Sequence, residues 1–265
     1  MRFDLQINPG TAIWPIARDA AIAAEAAGFK TFWTVDHLAG DVMQAPDMPE
    51  CFTLLGALAS ATKTIEIGPL VVNVGNRHPG LLANSAATMQ QISGGRFVLG
   101  LGAGSSPNSP FAAERLAIGV TPPATISERH AVLTNALDVM QEMWSPNRRV
   151  ELAKFPMPNP RPQIIVGVNS VALARIAGAR TNGVNIRASH ERAGEILAAA
   201  QDAHKSSGID KPFTVSVWEH YDEALLRGDD PRLATWRSWG VDRAILLMFK
   251  SVDFAAIDRA AKYLR

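Results

Sequence analysis

Asp36 and His37 place a carboxylate beside an imidazole, directly after the apolar run from Thr31 to Val35. Such a pair can bind the polar edge of a heterocycle and can supply a group that titrates near neutral pH. The alternative is that Asp36 caps a loop and that His37 is a half-exposed surface histidine. Taken alone, the residues favour this structural interpretation by roughly two to one, because isolated Asp-His pairs are common.

A glycine turn that leads into a predicted helix suggests phosphate binding. The turn is Gly167-Val168-Asn169-Ser170, and an apolar Val-Ala-Leu sequence follows it. Free backbone amides and the positive end of the helix dipole would meet at one point there, which suits an anion. The alternative is an ordinary turn in which Asn169 or Ser170 caps the helix.

The glycine-rich run from Gly100 to Ser105 resembles a dinucleotide-binding loop only superficially. We reject that function because the run lacks the context of a first strand and helix with a downstream acid. Glycines at a strand end more simply allow the backbone to approach a ligand closely. Ala103, Gly104 and Ser105 are therefore candidate binding residues.

Composition excludes several classes of protein. The chain has 265 residues, 47% of them hydrophobic, and a formal net charge of +1, which fits one sizeable globular domain and no nucleic-acid or membrane partner. Cys51 is the only cysteine, so an intrachain disulfide framework and a cysteine-built metal site are excluded. No apolar stretch approaches the roughly 20 residues needed to span a bilayer, and a cytoplasmic protein is expected.

Apolar runs alternate with amphipathic segments along the whole chain. We predict eight strands near residues 3–7, 31–35, 65–72, 97–101, 163–166, 183–186, 213–218 and 243–248. We predict eight helices near residues 15–27, 52–61, 81–92, 127–144, 170–179, 191–206, 231–239 and 254–264. Eight such pairs predict a closed (β/α)8 barrel (a TIM barrel) forming a single domain, with its chemistry on the loops that leave the carboxyl ends of the strands. The pair count alone does not exclude an open doubly wound sheet.

The sequence IGPLVVNVGNRHP, an Ala-rich helix and then SGGRFVLGLGAGS resemble the bacterial-luciferase-like family of flavin and deazaflavin oxidoreductases. The resemblance extends to GFKTFWTVDHL at residues 28–38, to PRPQIIVGVNSVALARIAG at residues 160–178 and to NGVN at residues 182–185. These blocks follow the family order and cover most of the chain. The resemblance favours the barrel over the open sheet.

The resemblance implies roles for the strand-end residues. Asp36 would line the pocket of the isoalloxazine or deazaisoalloxazine ring, and His37 would match the functional histidine, in acid/base chemistry or substrate positioning. Leu70 and Val71 would be joined by a cis peptide bond at a bulge against the ring. Asn73 would offer an amide to the ring edge, although a turn residue is an equal alternative.

The resemblance also implies that the Gly167 to Ser170 turn binds the cofactor phosphate, which favours binding over the ordinary capped turn. Relatives commonly have a tryptophan where this chain has Asp41, and several have a catalytic glutamate where it has Ser105. Residues 145–163 are shorter than the corresponding family segment, so we expect a reduced active-site cover or one completed by a partner subunit.

Three functions follow as hypotheses. The first is an oxidoreductase that transfers hydride between coenzyme F420 and a small organic substrate; Asp rather than Glu before His37 favours this cofactor. The second is a monooxygenase that uses reduced FMN from a separate reductase. The third is a non-catalytic flavin-binding subunit, against which His37 argues. A homodimer is expected.

Other residues near strand ends have two alternative roles each. We expect Arg77 and His78 to fix a turn or to contact a carboxylate of the same chain. Four aromatic residues are candidates for the core or for the wall of an apolar substrate pocket: Trp14, Trp33, Trp218 and Phe249. Glu219 and His220 follow a predicted strand and would reach the mouth of the barrel.

Overall fold

The computed structural model describes residues 1–209 and 212–264, and its strands form one parallel sheet. The strands are β1 (Arg2–Ile7), β2 (Thr31–Thr34), β3 (Glu66–Pro69), β4 (Val72–Asn73), β5 (Val98–Gly102), β6 (Gln163–Gly167), β7 (Gly183–Arg187), β8 (Thr214–His220) and β9 (Arg243–Met248). They are ordered β3-β2-β1-β9-β8-β7-β6-β5-β4. β3 and β4 together occupy the third of eight positions, so the predicted (β/α)8 barrel is confirmed.

Helices cover the outside of this barrel. They are α1 (Trp14–Ala27), α2 (Cys51–Ala61), α3 (Pro79–Ile92), α4 (Ala113–Ala117), α5 (Ile126–Met143), α6 (Val171–Arg180), α7 (Ala193–Ser206), α8 (Glu223–Arg227), α9 (Pro231–Ser238) and α10 (Phe254–Leu264). The short helices α4 and α8 were not predicted. Helix α5 begins at Ile126, because Thr125 and Glu128 form a reciprocal capping box.

The third barrel position is interrupted where the cis peptide bond was expected. β3 pairs with β2, β4 pairs with β5, and a single bridge between Ile67 and Phe97 joins β3 to the start of β5. The Leu70-Val71 peptide bond between β3 and β4 is cis, which confirms the prediction. Gly100 allows the close approach of this segment, because a Cβ there would lie 2.1 Å from the carbonyl oxygen of Pro69.

Side chains fill the barrel interior in layers. A cluster of buried apolar residues lies in the middle: Trp33, Leu70, Val98, Ile165 and Ile245. Below it, at the amino ends of the strands, Asp4 accepts a hydrogen bond from Trp33 Nε1 at 2.9 Å and lies 3.4 Å from Arg243 Nε. Burial raises the pKa of Asp4 to about 6, against the opposing effect of Arg243. The described side chains therefore pack the interior below its carboxyl end.

The segment between α5 and β6 is short and irregular. Residues 145–162 contain one 3-10 turn, Val150–Leu152, and no strand. Whether this reduces the active-site cover stays a prediction. Across the described helices, none has the length and apolar character required to cross a bilayer.

Gly100→Ala should destabilise the barrel by at least about 2 kcal/mol, because its new Cβ would overlap backbone atoms of β3. The matched control is Gly56→Ala in α2, where the nearest atom to a new Cβ is the Met89 sulfur at 4.0 Å. That change should stabilise by about 0.5 to 1 kcal/mol, since alanine favours helix. Urea unfolding of both variants measures this. Similar stability of the two variants would contradict the packing argument.

Candidate functional site at the barrel mouth

All the predicted site residues lie at one rim of the barrel. Because every strand pair is parallel, the carboxyl ends of the strands meet at the same end of the sheet. Asp36 and His37 follow β2, and Leu70, Val71 and Asn73 lie between β3 and the end of β4. Ala103, Gly104 and Ser105 follow β5, and Gly167, Val168, Asn169 and Ser170 lie at the end of β6. The prediction that these loops share the carboxyl-terminal rim is confirmed.

A buried ion pair anchors the β2 side of this rim. Both oxygens of Asp36, whose side chain is 1% exposed, accept hydrogen bonds from Arg77 at 2.7 Å. Asp36 also accepts from the backbone N–H of Asn73 at 3.2 Å, and Arg77 reaches Glu50 at 2.7 Å. Burial lowers the pKa of Arg77, but the bonds to Asp36 outweigh it and raise that pKa above its ordinary value. The expectation that Arg77 contacts a carboxylate of the same chain is confirmed.

The next residue, His37, is held by a carboxylate that sequence reasoning missed. His37 Nδ1 lies 3.2 Å from Oε1 of Glu114, on α4, and Glu114 Oε2 accepts from the N–H of Leu38 at 2.8 Å. Burial raises the pKa of Glu114, but the hydrogen bonds from His37 and Leu38 more than compensate and lower it. An ionised carboxylate only accepts hydrogen bonds, so Nδ1 carries the proton and Nε2 is left for a ligand. The Phe111 ring stacks on His37 with centroids 5.8 Å apart.

Glycines on β5 and β6, and one just after β5, leave room for the interrupted third strand. A Cβ on Gly102 would lie 2.6 Å from Val71 Cγ2, and a Cβ on Gly167 would lie 3.1 Å from Val71 Cγ1. Gly104 has a φ of +84°, and a Cβ there would lie 2.9 Å from Asn73 Oδ1. Larger residues would push Val71 and Asn73 aside, so the glycines fix the shape of this wall.

Two polar side chains in this wall bear on its function. Asn73 Oδ1 accepts from the N–H of Gly75 at 3.0 Å, so Asn73 is at least a turn residue. Its Nδ2 has no acceptor among the described residues, which leaves the amide available to a ligand. The Ser105 hydroxyl is buried and has no hydrogen-bond partner within residues 1–209 and 212–264. Buried hydroxyls are normally paired, and an unpaired one suits a polar ligand.

The turn after β6 exposes a row of backbone donors. The N–H of Val168 donates to Asn185 O at 2.8 Å, and Ser170 Oγ accepts from the N–H of Leu173 at 3.4 Å. None of the backbone N–H groups of residues 169–172 has an acceptor in the part of the chain that the structure describes. Ser170 is thus the N-cap of α6, as the structural alternative states, while the remaining amides are free for an anion.

Aromatic and basic side chains form the opposite wall. Trp218 Nε1 donates to Gln6 Oε1, and Gln6 Nε2 donates to the carbonyl oxygen of Leu70 at 3.1 Å. Arg187 lies over the Trp218 ring, 5.4 Å from its centroid. His220 is exposed and 5.4 Å from Trp218 between ring centroids, so it borders the mouth, as predicted.

The other three aromatic residues, Trp14, Trp33 and Phe249, lie in different environments. Trp33 is fully buried in the barrel interior, whereas Trp14 is 41% exposed. Phe249 follows β9 and lies 6.3 Å from His220 between ring centroids. His78 is the N-cap of α3, where its ring accepts from the N–H of Gly80, so its expected turn role is confirmed.

The fold and the rim define a (β/α)8 barrel protein whose candidate site lies at the carboxyl ends of the strands. Comparison with known proteins identifies the family. Residues 3–220 match the family model of the luciferase-like monooxygenases. The chain belongs to this family.

The chain is also similar to relatives whose activities are named. An F420-dependent glucose-6-phosphate dehydrogenase of Nakamurella multipartita is 30% identical over 175 residues, which are 62% of this chain and 50% of the relative. The chain therefore spans about half the length of that relative.

Solved structures agree on the fold. An F420-dependent secondary alcohol dehydrogenase, bound to an F420-acetone adduct, has a TM-score of 0.78 at 17% identity and matches all of both chains. The monooxygenase RslO1 from Streptomyces bottropensis has a TM-score of 0.75 at 18% identity, covering 99% of this chain and 97% of its own.

Arg77→Met should lower the free energy of unfolding by about 3 to 5 kcal/mol, because it leaves Asp36 charged and buried without its partner. Adding Asp36→Asn to that variant should recover part of the loss. Arg192→Met, which breaks the exposed pair with Glu195, is the control and should cost less than about 1 kcal/mol. Chemical denaturation compares the three variants. Equal losses in the two single variants would refute the buried ion pair as the anchor of the rim.

Proposed function

We propose that this protein is an oxidoreductase that uses coenzyme F420 to transfer hydride to or from a small organic substrate. The observation that supports it most is the His37–Glu114 pair beside a glycine-lined mouth with free donors. The similarity to an F420-dependent dehydrogenase supports the same cofactor. The substrate class is a small molecule.

The residues at the mouth fit a flavin-type cofactor with a phosphate-bearing side chain. Asp36, Leu70, Val71 and Asn73 are proposed to border its ring, with the Asn73 amide as a polar contact. Ala103, Gly104 and Ser105 would follow the ring along β5, where the buried Ser105 hydroxyl lacks a partner in the described chain. The free amides after Gly167 and Val168, together with Asn169 and the Ser170 turn, would hold the phosphate.

Asp36 is proposed to act mainly through the backbone. Its oxygens already bind Arg77 and the N–H of Asn73, so it fixes the position of Asn73 at the ring. Because Asp36 precedes His37 in the chain, holding Asp36 also fixes the backbone from which the His37 side chain extends. This is a positioning function within the cofactor-binding wall.

His37 is proposed as the acid/base residue. A deazaflavin bound at this mouth would supply the carbon that accepts or returns a hydride, so the protein would have only a proton to move. With Nδ1 donating to Glu114, Nε2 of His37 takes the proton of a substrate hydroxyl on oxidation and returns it on reduction. Glu114 stabilises the imidazolium that forms, and Phe111 covers one face of the ring.

A second candidate is an FMN-dependent monooxygenase supplied with reduced cofactor by a separate reductase. Membership of the luciferase-like monooxygenase family supports it. A non-catalytic flavin-binding subunit is less consistent with an imidazole whose tautomer a carboxylate fixes. The relative affinities for F420 and FMN separate the first two functions.

A homodimer is the proposed assembly. Leu81 and Ile92 are 62% and 51% exposed and lie eleven residues apart on α3, on nearly the same face. Two exposed apolar side chains on one helix face favour contact with a second copy. Sedimentation equilibrium tests this, and a monomer at micromolar concentration would exclude the proposal.

F420 should bind the purified protein at least about tenfold more tightly than FMN. Asn169→Asp should weaken F420 binding by about tenfold or more, because it adds a negative charge to an exposed position beside the phosphate. Asn182→Asp is the control: it adds the same charge at the other end of the barrel and keeps the acceptor for the N–H of Ile164. Fluorescence titration gives the dissociation constants. Tighter binding of FMN would favour the monooxygenase.

His37→Ala should lower kcat by about 10² or more while F420 affinity changes by less than about tenfold. Glu114→Gln should lower kcat by a smaller factor and shift the pH profile, since it removes the charge but keeps the shape. Phe111→Leu, on the exposed side of the ring, is the control and should stay within a few-fold. Rates are measured by cofactor absorbance with glucose 6-phosphate and short secondary alcohols as substrates. Full turnover in His37→Ala would end the catalytic assignment.

A further inference from the structure

A cleft lies outside the barrel mouth, between the turn after β4 and helix α5. Its volume is about 520 Å³, and its polar lining includes Arg77, Arg115, Thr121 and Asn135. Both charged residues that line it are arginines, and no acidic side chain of the described chain is among its walls. The proposed cofactor-binding residues do not line it either, so it is a separate site.

The two arginines differ in how their charge is balanced. Arg77 is neutralised by Asp36 and Glu50. Arg115 is only 3% exposed, and the residues described here give it no ion pair within 4.0 Å. Among the described residues, its guanidinium makes one hydrogen bond, from Nη2 to the carbonyl oxygen of Gly75 at 2.8 Å. Its Nε is buried and has no acceptor among them. A buried cation of this kind needs a compensating anion.

The neighbouring carboxylate does not supply this compensation directly. Glu114 precedes Arg115 in α4, but its oxygens bind His37 and the N–H groups of Leu38 and Ala39. Burial lowers the pKa of Arg115 although Glu114 opposes the effect, as expected for an arginine without close contact to a carboxylate. The positive charge therefore faces the cleft largely unbalanced.

Neutral donors complete the wall. Thr121 and Asn135 are exposed, line the same cleft, and their side chains have no hydrogen bond to any residue in the described ranges. A hydroxyl, an amide and a guanidinium are the groups that together bind phosphate or carboxylate oxygens. The volume is sufficient for a small organic molecule in addition to its anionic end.

We propose that this cleft binds the oxyanion end, phosphate or carboxylate, of a small organic ligand. Arg115 provides the charge, and Thr121 and Asn135 provide neutral hydrogen bonds. The site goes beyond the proposed redox function and does not depend on it, because none of these residues belongs to the His37 pair or to the phosphate turn.

The test is calorimetric titration at low ionic strength with inorganic phosphate and, separately, with succinate, in a protein that carries Asn169→Asp so that the added charge closes the proposed phosphate turn after β6 to anions. At least one probe should bind saturably with a dissociation constant on the order of 1 mM. Asn135→Asp should weaken it by about tenfold or more, because it adds a negative charge to the wall, and Arg115→Met should abolish it. Tighter phosphate binding identifies a phosphorylated ligand, and tighter succinate binding identifies a carboxylate.

Gln141→Glu is the matched control, because it adds one charge to an exposed position of the same helix outside the cleft. It should change the affinity by less than about twofold. If Arg115→Met fails to fold, the result with Asn135→Asp decides whether the cleft is the binding site, because Asn135 is exposed and its substitution leaves the core intact. No saturable binding below about 20 mM, or equal weakening by Gln141→Glu, would overturn the proposal. Neither result would bear on F420 binding, which is measured separately.

Discussion

The buried ion pair between Asp36 and Arg77 is the interaction on which the rim depends. It takes two charges out of water, so it is maintained only because both Asp36 oxygens are bound in good geometry. In return it joins the end of β2 to the turn after β4, and it fixes the N–H of Asn73. His37 follows Asp36 directly, so the position of its imidazole is set from this anchor on one side and from Glu114 on the other.

Small residues complement this anchor. Gly100, Gly102 and Gly167 leave room for the interrupted third strand, and any Cβ at these positions would contact Pro69 or Val71 at 3.1 Å or less. Their backbones therefore form a close-packed wall that side chains would otherwise occupy. Packing fixes the shape of the mouth, while the ion pairs fix its polar groups. The two constraints act on the same few residues around Val71.

The sequence predicts the barrel well because its strands are continuous apolar runs between amphipathic helices, as at 243–248. The cis bond at Leu70-Val71 was predictable only through family resemblance, since the residues themselves are ordinary. Glu114 could not be predicted as the partner of His37. The two lie 77 residues apart, and Glu114 is in a five-residue helix that shows no periodicity. The carboxylate partner of Arg77 was expected without being identified, because long-range pairing is a property of the folded chain.

We propose that three loops, at residues 70–73, 103–105 and 167–172, form one binding surface for a flavin-type cofactor. Amide hydrogen exchange measured with and without F420 tests it most directly, because it reports each loop separately. We expect F420 to slow exchange in all three loops together and to leave exchange at the amino-terminal end of the barrel, around Asn182, unchanged. Protection confined to one loop, or absent from all three at saturating F420, would contradict it.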